Sequence, residues 1–341
     1  MIGVNPICAS TSRSRSTPGA ISVSSRPSVV RRSTAFENFS PGVTDRLGID
    51  YASCRALNPA LVYTSISGFG PDPAPDRTRA VDIVIQALSG LMLASGAEGE
   101  PPVRVGIPIG DQAAPLFATI GTLAAVLRAR TSGQGQQVDV SLLGAMSALV
   151  AAEPFDMAAR VGRQARSGNL LARMAPSGVF ETRDGHIAIS APKDAFAAGV
   201  LRAMGRLELQ QDERFASLAA RVRHHAALHE LVGAWTRTLD TAAVAALLRE
   251  HGVTNGPVRD PATAARDPAV LARGETVRLA HPVHGAVDDV VVGGLPIHMS
   301  ESTTGLDRPA FTLGASNNDI YRGLLGYSQE RIERLVSDRV I

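Results

Sequence analysis

The chain has 341 residues, with 34 Lys and Arg against 32 Asp and Glu, for a formal charge of +2. So small and scattered a basic excess excludes the footprint of a nucleic-acid binder, and the two cysteines, Cys8 and Cys54, show no pairing pattern, which excludes a disulfide framework and points to a reducing, cytoplasmic setting. No stretch approaches the roughly 18 uncharged apolar residues of a membrane span, so no membrane partner is expected; the 45% of apolar residues supplies core for about two domains.

Met1 to Ala35 contains no acidic residue and is rich in Ser, Arg and Pro, with no sustained helical or strand period. A disordered basic tail, an organelle transit peptide, and a gene read out of frame or from a wrong start all produce such a composition. The character changes at Phe36. Phe36 to Gly42 is turn-rich, and Val43 to Ile49 is a short amphipathic piece. Tyr51 to Leu57 reads as a helix stopped by Asn58-Pro59, and Leu61 to Ile66 as a β-branched and aromatic strand. Ser67 to Pro71 is a glycine-flanked turn whose backbone N–H groups are free to approach a ligand. Ala80 to Ser89 has helical spacing.

Val105 to Ile109 reads as a strand ending at Gly110, followed by Asp111 and a small-residue helix from Ala113 to Arg130, with Pro115 expected in its first turn. Gln137 to Leu142 alternates like a strand, and Leu143 to Ala159 reads as one Ala-rich helix. Arg160 to Ser167 is a polar connector. Beyond it come a β-hairpin turning at Asp184-Gly185 and amphipathic helices at Asp194 to Met204, His225 to Thr238 and Thr241 to His251, the last closed by Gly252. Glu275 to Leu279 and Val287 to Val292 are short strands, and Glu330 to Val336 is a last helix.

No phosphate-binding loop, zinc-ligand set or Gly-x-Ser-x-Gly elbow occurs. His225 and His229 have a spacing a metal can use, but His224 and Glu230 beside them make a solvated face the preferred reading, and no metal is expected. Asp111 remains. Taken alone it reads as a helix N-cap. It also stands at the carboxyl end of a strand, where open α/β sheets bind ligands. An Asp can act as a covalent nucleophile, and toward an activated acyl group it needs no second carboxylate. A helix N-terminus would help keep it ionised.

Phe36-Glu-Asn-Phe-Ser-Pro-Gly42, Ser65-Ile-Ser-Gly-Phe-Gly70, Asp82-Ile-Val-Ile-Gln-Ala-Leu-Ser-Gly90, Val105-Gly-Ile-Pro-Ile-Gly-Asp111, Thr131-Ser-Gly-Gln-Gly-Gln136 and Val138-Asp-Val-Ser-Leu142 follow one another in an order and spacing similar to the class III CoA-transferases. That family contains formyl-CoA and carnitine CoA-transferases and α-methylacyl-CoA racemase. Ala175-Pro-Ser-Gly-Val-Phe180 and Gly252-Val-Thr-Asn-Gly-Pro-Val258 continue the resemblance, which runs from Phe36 to Ile341.

The resemblance implies CoA transfer from an acyl-CoA to a carboxylic acid, with Asp111 as the acyl-accepting nucleophile. The CoA thioester is then a substrate and no cofactor is permanently bound. It also implies Asn38, Phe39 and Arg46 beside CoA, with Arg46 near the phosphates, and Ser67, Gly68 and Phe69 along the pantetheine arm. An interlocked homodimer is the implied assembly.

Racemase-like members carry His immediately before the position of Asp82; here it is Val81, so an acyl-CoA racemase or epimerase is the second reading. The glycine-rich loop of formyl-CoA transferases is not evident in Gly168 to Arg173, so a formyl or oxalate substrate is not expected. The resemblance further implies a first βαβ half ahead of Phe36, where Met1 to Ala35 matches nothing. A frameshift or misassigned start is the preferred account of that segment, and an inactive remnant or non-catalytic packing subunit the third functional reading. The expected fold class is α/β: a Rossmann-like large domain over 36–162 and 305–341, incomplete at its N-terminal half, with the C-terminal segment returning to it. A linker over 163–177 and a smaller α+β domain over 178–304 complete the expected organisation.

Overall fold

Three runs, Thr34–Glu37 (β1), Val62–Ser67 (β2) and Gln137–Ser141 (β3), form a parallel sheet in the order β1-β2-β3 in the computed structural model of the chain. The described residues are 33–74, 79–160, 166–171, 173–281, 285–306 and 312–341. They divide into two units, one reaching to Gly168 and including Ile320–Ile332, the other formed by Asn169–Asp319 and Glu333–Ile341.

In the first unit β2 is the central strand, and Val62 to Ser65 are buried. Its β-branched and aromatic residues suit a strand covered on both faces. Helix α1 (Val43–Leu47) and helix α2 (Tyr51–Leu57) follow β1. Asp50 caps α2, its carboxylate accepting from the Ser53 N–H at 2.9 Å. Tyr63 packs with Cys54 and Leu61, and its hydroxyl donates to the Ile49 carbonyl at 2.8 Å.

After β2 come α3 (Asp82–Leu88), α4 (Leu91–Ala94) and the long α5 (Ile109–Ser132). Ala113, Ala114, Ala118 and Ala125 of α5 are buried, and Thr122 joins Thr64 of β2 hydroxyl to hydroxyl at 2.6 Å. Gly121 extends this small-residue face: a Cβ there would stand 2.8 Å from Val138 of β3. Close backbone approach therefore substitutes for large side chains, as the scarcity of aromatics requires. Helices α6 (Leu142–Val150) and α7 (Phe155–Arg160) complete this stretch.

Several expectations change here. β1 begins at Thr34, inside the segment set apart as unmatched, and takes over the start of the turn-rich Phe36 run; pairing with β2 (Phe36 opposite Thr64) outweighs local turn propensity. The single helix expected over Leu143 to Ala159 is two, parted ahead of Pro154, which lacks an N–H and disfavours a helical residue before it. Helix α5 is long and apolar enough, by length and composition, to cross a membrane, contrary to the reading that no stretch comes near this. Its buried small-residue face lies on the sheet, as in a core helix. Of the 1–35 segment, residues 1–32 lie outside the described residues, as do 161–165 of the expected connector.

The second unit is built on the antiparallel sheet β4 (Gly178–Glu181), β5 (His186–Ser190) and β6 (Thr254–Pro257), in that order. Helices α8 (Asp194–Ala203), α9 (Leu218–Arg223), α10 (His225–Thr236) and α11 (Thr241–Glu250) follow β5. Phe180, Ile187, Ile189, Val200, Val232, Val244 and Leu248 form its main core. Gly199 lets α8 meet the end of α11, since a Cβ there would lie 2.6 Å from the His251 carbonyl oxygen. Arg221 is buried and donates to the carbonyls of Ala175 (2.9 Å) and Phe215 (3.2 Å) and to Asp194 (2.6 Å), so its charge is satisfied in place. Short helices α12 (Pro261–Ala265) and α13 (Pro268–Ala272), the hairpin β7 (Thr276–His281) with β8 (Gly285–Gly293), a π-helical turn over Asn318–Leu324, and α14 (Gln329–Ser337) complete the chain.

The solvated face expected around His225 and His229 is instead core at His229. Its ring is buried against Phe180 at 5.6 Å, and Nε2 accepts from the Ser177 N–H at 3.3 Å. Nδ1 therefore carries the hydrogen, and it is buried without a partner. Burial first, and the neighbouring His225 second, lower its pKa from 6.5 to about 4. The unfolded chain takes up this proton below about pH 6.5 and the folded chain only near 4, so stability is lost as pH falls through that window. The loss should total roughly 3 kcal/mol, at 1.36 kcal/mol per pKa unit. Urea midpoints measured from pH 8 to 4 should fall accordingly, and His229→Gln should flatten that dependence.

Candidate active site

Helix α3 places Asp82 and Gln86 four residues apart, on one face. Gln86 is fully buried although it is polar, while Ile83, Val84 and Leu88 of the same helix are exposed. Its side-chain amide is used on both sides: Oε1 accepts from the Val105 N–H at 2.9 Å, and Nε2 donates to the Ile107 carbonyl at 3.2 Å and to Asp82 Oδ2 at 2.6 Å. The other oxygen, Asp82 Oδ1, accepts from the Gly110 N–H at 2.7 Å.

Residues 105–109 are thus not the strand the sequence suggests. Pro108 cannot donate to a ladder, and the backbone polar groups of Val105 and Ile107 bond to a side-chain amide instead of a neighbouring strand. Helix α5 also starts earlier than expected, at Ile109, with Pro108 at the N-cap position and no side-chain bond from that residue. Asp111 is therefore not the cap. It is the third residue of the first turn, and its side chain is exposed. Pro115 falls in the second turn and has no N–H to offer the Asp111 carbonyl.

The electrostatics also differ from expectation. The helix N-terminus favours an ionised Asp111, yet its pKa is raised, first by desolvation against the atoms beneath it and then by the negative charge of Asp82. The site is a carboxylate at a helix N-terminus with a second carboxylate beside it.

Ser67, Gly68 and Phe69 leave the end of β2. Ser67 Oγ accepts from the Gly70 N–H at 2.9 Å, closing the turn, and the Gly68 carbonyl accepts from Leu143 of α6 at 3.1 Å. Phe69 packs against the cluster of Ile85, Ala113 and Met146, which also receives Ile109. The β2 turn and the first turn of α5 therefore share one apolar base. Asn38 and Phe39 leave the neighbouring end of β1, with the Phe39 N–H donating to Glu37 at 2.8 Å. Arg46 lies exposed on α1. Val81 is exposed at the N-cap of α3. Gln86 was missed at the level of sequence; the signal was an amide one helical turn from Asp82, a spacing that also describes a solvated helix face.

The profile of CoA-transferase family III matches residues 31–317. The chain belongs to that family. Its members' class is its own: it is a CoA-transferase. The match begins ahead of β1, five residues before the Phe36 at which the sequence motifs start. The succinyl-CoA–D-citramalate CoA-transferase of Chloroflexus aurantiacus is 32% identical, over 89% of this chain and 75% of that protein. The formyl-CoA:oxalate CoA-transferase of Streptomyces avermitilis is 30% identical, over 92% of this chain and 80% of that protein. A CAIB/BAIF family protein from Brucella suis superposes with a TM-score of 0.75 at 30% identity, covering 88% of this chain and 78% of the other. This likeness agrees with the α/β fold built on a parallel sheet.

The family member's β2 turn depends on Gly68. A Cβ there would lie 2.1 Å from Cβ of Ala80, far inside contact. Gly68→Ala should therefore cost about 1–3 kcal/mol by overpacking, read by thermal unfolding, and adding Ala80→Gly should recover most of the loss.

Proposed function

We propose that this family III enzyme transfers CoA through covalent intermediates on Asp111. The observation that carries the reading is the place of Asp111: exposed, in the first turn of α5, beside the β2 turn, and not used as the helix cap. The donor is an acyl-CoA and the acceptor a carboxylic acid, the substrate classes named for its relatives.

The Asp111 carboxylate attacks the thioester carbonyl. A C–O bond forms, the C–S bond breaks, and CoA leaves as the thiolate, giving a mixed anhydride. The thiolate returns to the aspartyl carbonyl, releasing the donor acid and leaving an aspartyl thioester. The acceptor carboxylate attacks that thioester and expels the thiolate once more. The thiolate then takes the acceptor acyl group, and Asp111 is regenerated as the carboxylate. A carboxylate that holds its proton more firmly is the better nucleophile, so the upward push on Asp111 serves the first step.

In this reading Ser67, Gly68 and Phe69 line the pantetheine arm, Asn38 and Phe39 lie beside it at the end of β1, and Arg46 meets the phosphates. The position of the β1 and β2 ends along one sheet edge supports a common binding face. Racemisation would need a second base, and Val81 supplies none. We further propose a homodimer. Leu116, Ile120, Leu123 and Leu127 of α5 are all more than half exposed and repeat at four, three and four residues, the spacing of an interhelical seam.

Asp111→Asn should lower transfer on the order of 10³-fold or more with the fold retained. Incubation with succinyl-CoA should leave a hydroxylamine-sensitive adduct on Asp111, detected by mass spectrometry of its peptide. Solvent deuterium uptake at the α-carbon without such an adduct would decide for a racemase. Sedimentation should give a dimer, and Ile120→Glu with Leu123→Glu a monomer; a dimer unchanged by the pair would exclude α5 from the interface.

A further inference from the structure

We propose that Asp82 and Gln86 act as a positioning pair for Asp111, Asp82 by capping α5 from a different helix and Gln86 by holding the segment that leads into it. This rests on the reading of Asp111 as the nucleophile.

A helix begins with N–H groups that lack intrahelical partners, and a side chain at the N-cap commonly accepts from the second or third of them. In α5 the N-cap is Pro108, which has no polar side chain. Gly110, the second helical residue, donates to Asp82 across 28 positions of sequence. The nearest carboxylate in sequence, Asp111, is thereby released from the task its position suggests. Gly110 is buried, and a Cβ there would meet Asp82 Oδ1 at 3.0 Å and Ile85 at 3.4 Å, so glycine permits this approach.

Gln86 completes the arrangement. One amide accepts from the N–H of Val105 and donates to the carbonyl of Ile107, as the edge of a strand would. The same Nε2 donates to Asp82, fixing that carboxylate toward Gly110. The anchor is firm, because Ile85 between them is fully buried against Ala113 and Met146.

Asp82 also acts by charge, since it raises the proton affinity of Asp111. The other elements packed on α5 offer few competing groups. Helix α6 has no titratable side chain, β2 has Tyr63, whose hydroxyl bonds to Ile49, and β3 has Asp139, whose charged neighbour is Glu37. Asp82 is the only titratable residue of α3.

The test compares full-length Asp82→Asn and Gln86→Leu with wild type, using succinyl-CoA and a dicarboxylate acceptor. Asn can still accept from Gly110 but carries no charge, so the acid limb of kcat/KM should move to lower pH. Gln86→Leu should lower kcat by about 10²-fold through misplacement of Asp111, leave KM for the thioester within about threefold, and leave the acid limb in place. Carbon-13 NMR titration of the Asp111 carboxyl in Asp82→Asn reads the same shift without turnover, and so holds if that variant is inactive. Wild-type kcat in Gln86→Leu would overturn the positioning, and an unmoved Asp111 titration would overturn the effect assigned to the Asp82 charge. Full activity of Asp111→Asn would instead overturn the nucleophile reading beneath it.

Discussion

The hydrogen bond from the Gly110 N–H to the Asp82 carboxylate caps helix α5 from outside the helix. A carboxylate at a helix start is ordinarily consumed by the helix, because the first backbone donors need an acceptor. Here the acceptor arrives from α3, and Asp111 is left exposed with its oxygens uncommitted. The cost is two carboxylates near one another, whose repulsion adds to the desolvation that raises the pKa of Asp111. The α5 helix is thus capped while the Asp111 carboxylate stays uncommitted.

Small side chains make that division possible. Ala113 and Ala114 of α5, like Gly68 in the β2 turn, lie where a larger group would push the backbone apart. The apolar base of Ile85, Ala113 and Met146 then fixes three elements at once: α3 with its Asp82, the start of α5, and α6 behind them. The second unit relies on similar economy, with Gly199 admitting the end of α11 and Arg221 tying three groups around Ala175.

Much of this was legible in sequence. β2 read from its β-branched and aromatic run, β3 from its alternation, α2 from the stop at Asn58-Pro59, and the β4–β5 hairpin from Asp184-Gly185. The rest failed for physical reasons. Thr34 to Glu37 has no strong pattern of its own and becomes a strand by pairing with β2. Val105 to Ile109 has strand composition but obtains its hydrogen bonds from Gln86, and periodicity cannot report a side-chain partner. His229 looked solvated because its sequence neighbours are polar, while the helix turns it inward onto Phe180. The acceptor that caps α5 was not written locally, since Asp82 lies 28 residues from Gly110.

Pro115 gives α5 two regions of unequal hold. The rung that would tie the Asp111 carbonyl to the next turn is missing, because Pro115 has no N–H. The turn that carries Asp111 keeps the bond from the Gln112 N–H to the Pro108 carbonyl at 3.2 Å and adds the bond from Gly110 to Asp82 of α3, while the remainder is secured by its own ladder and by the sheet. Local opening can then release the first turn without unzipping the long helix behind it. Amide exchange would see that turn as its own cooperative unit, loosened or fastened by whatever occupies the face beside it.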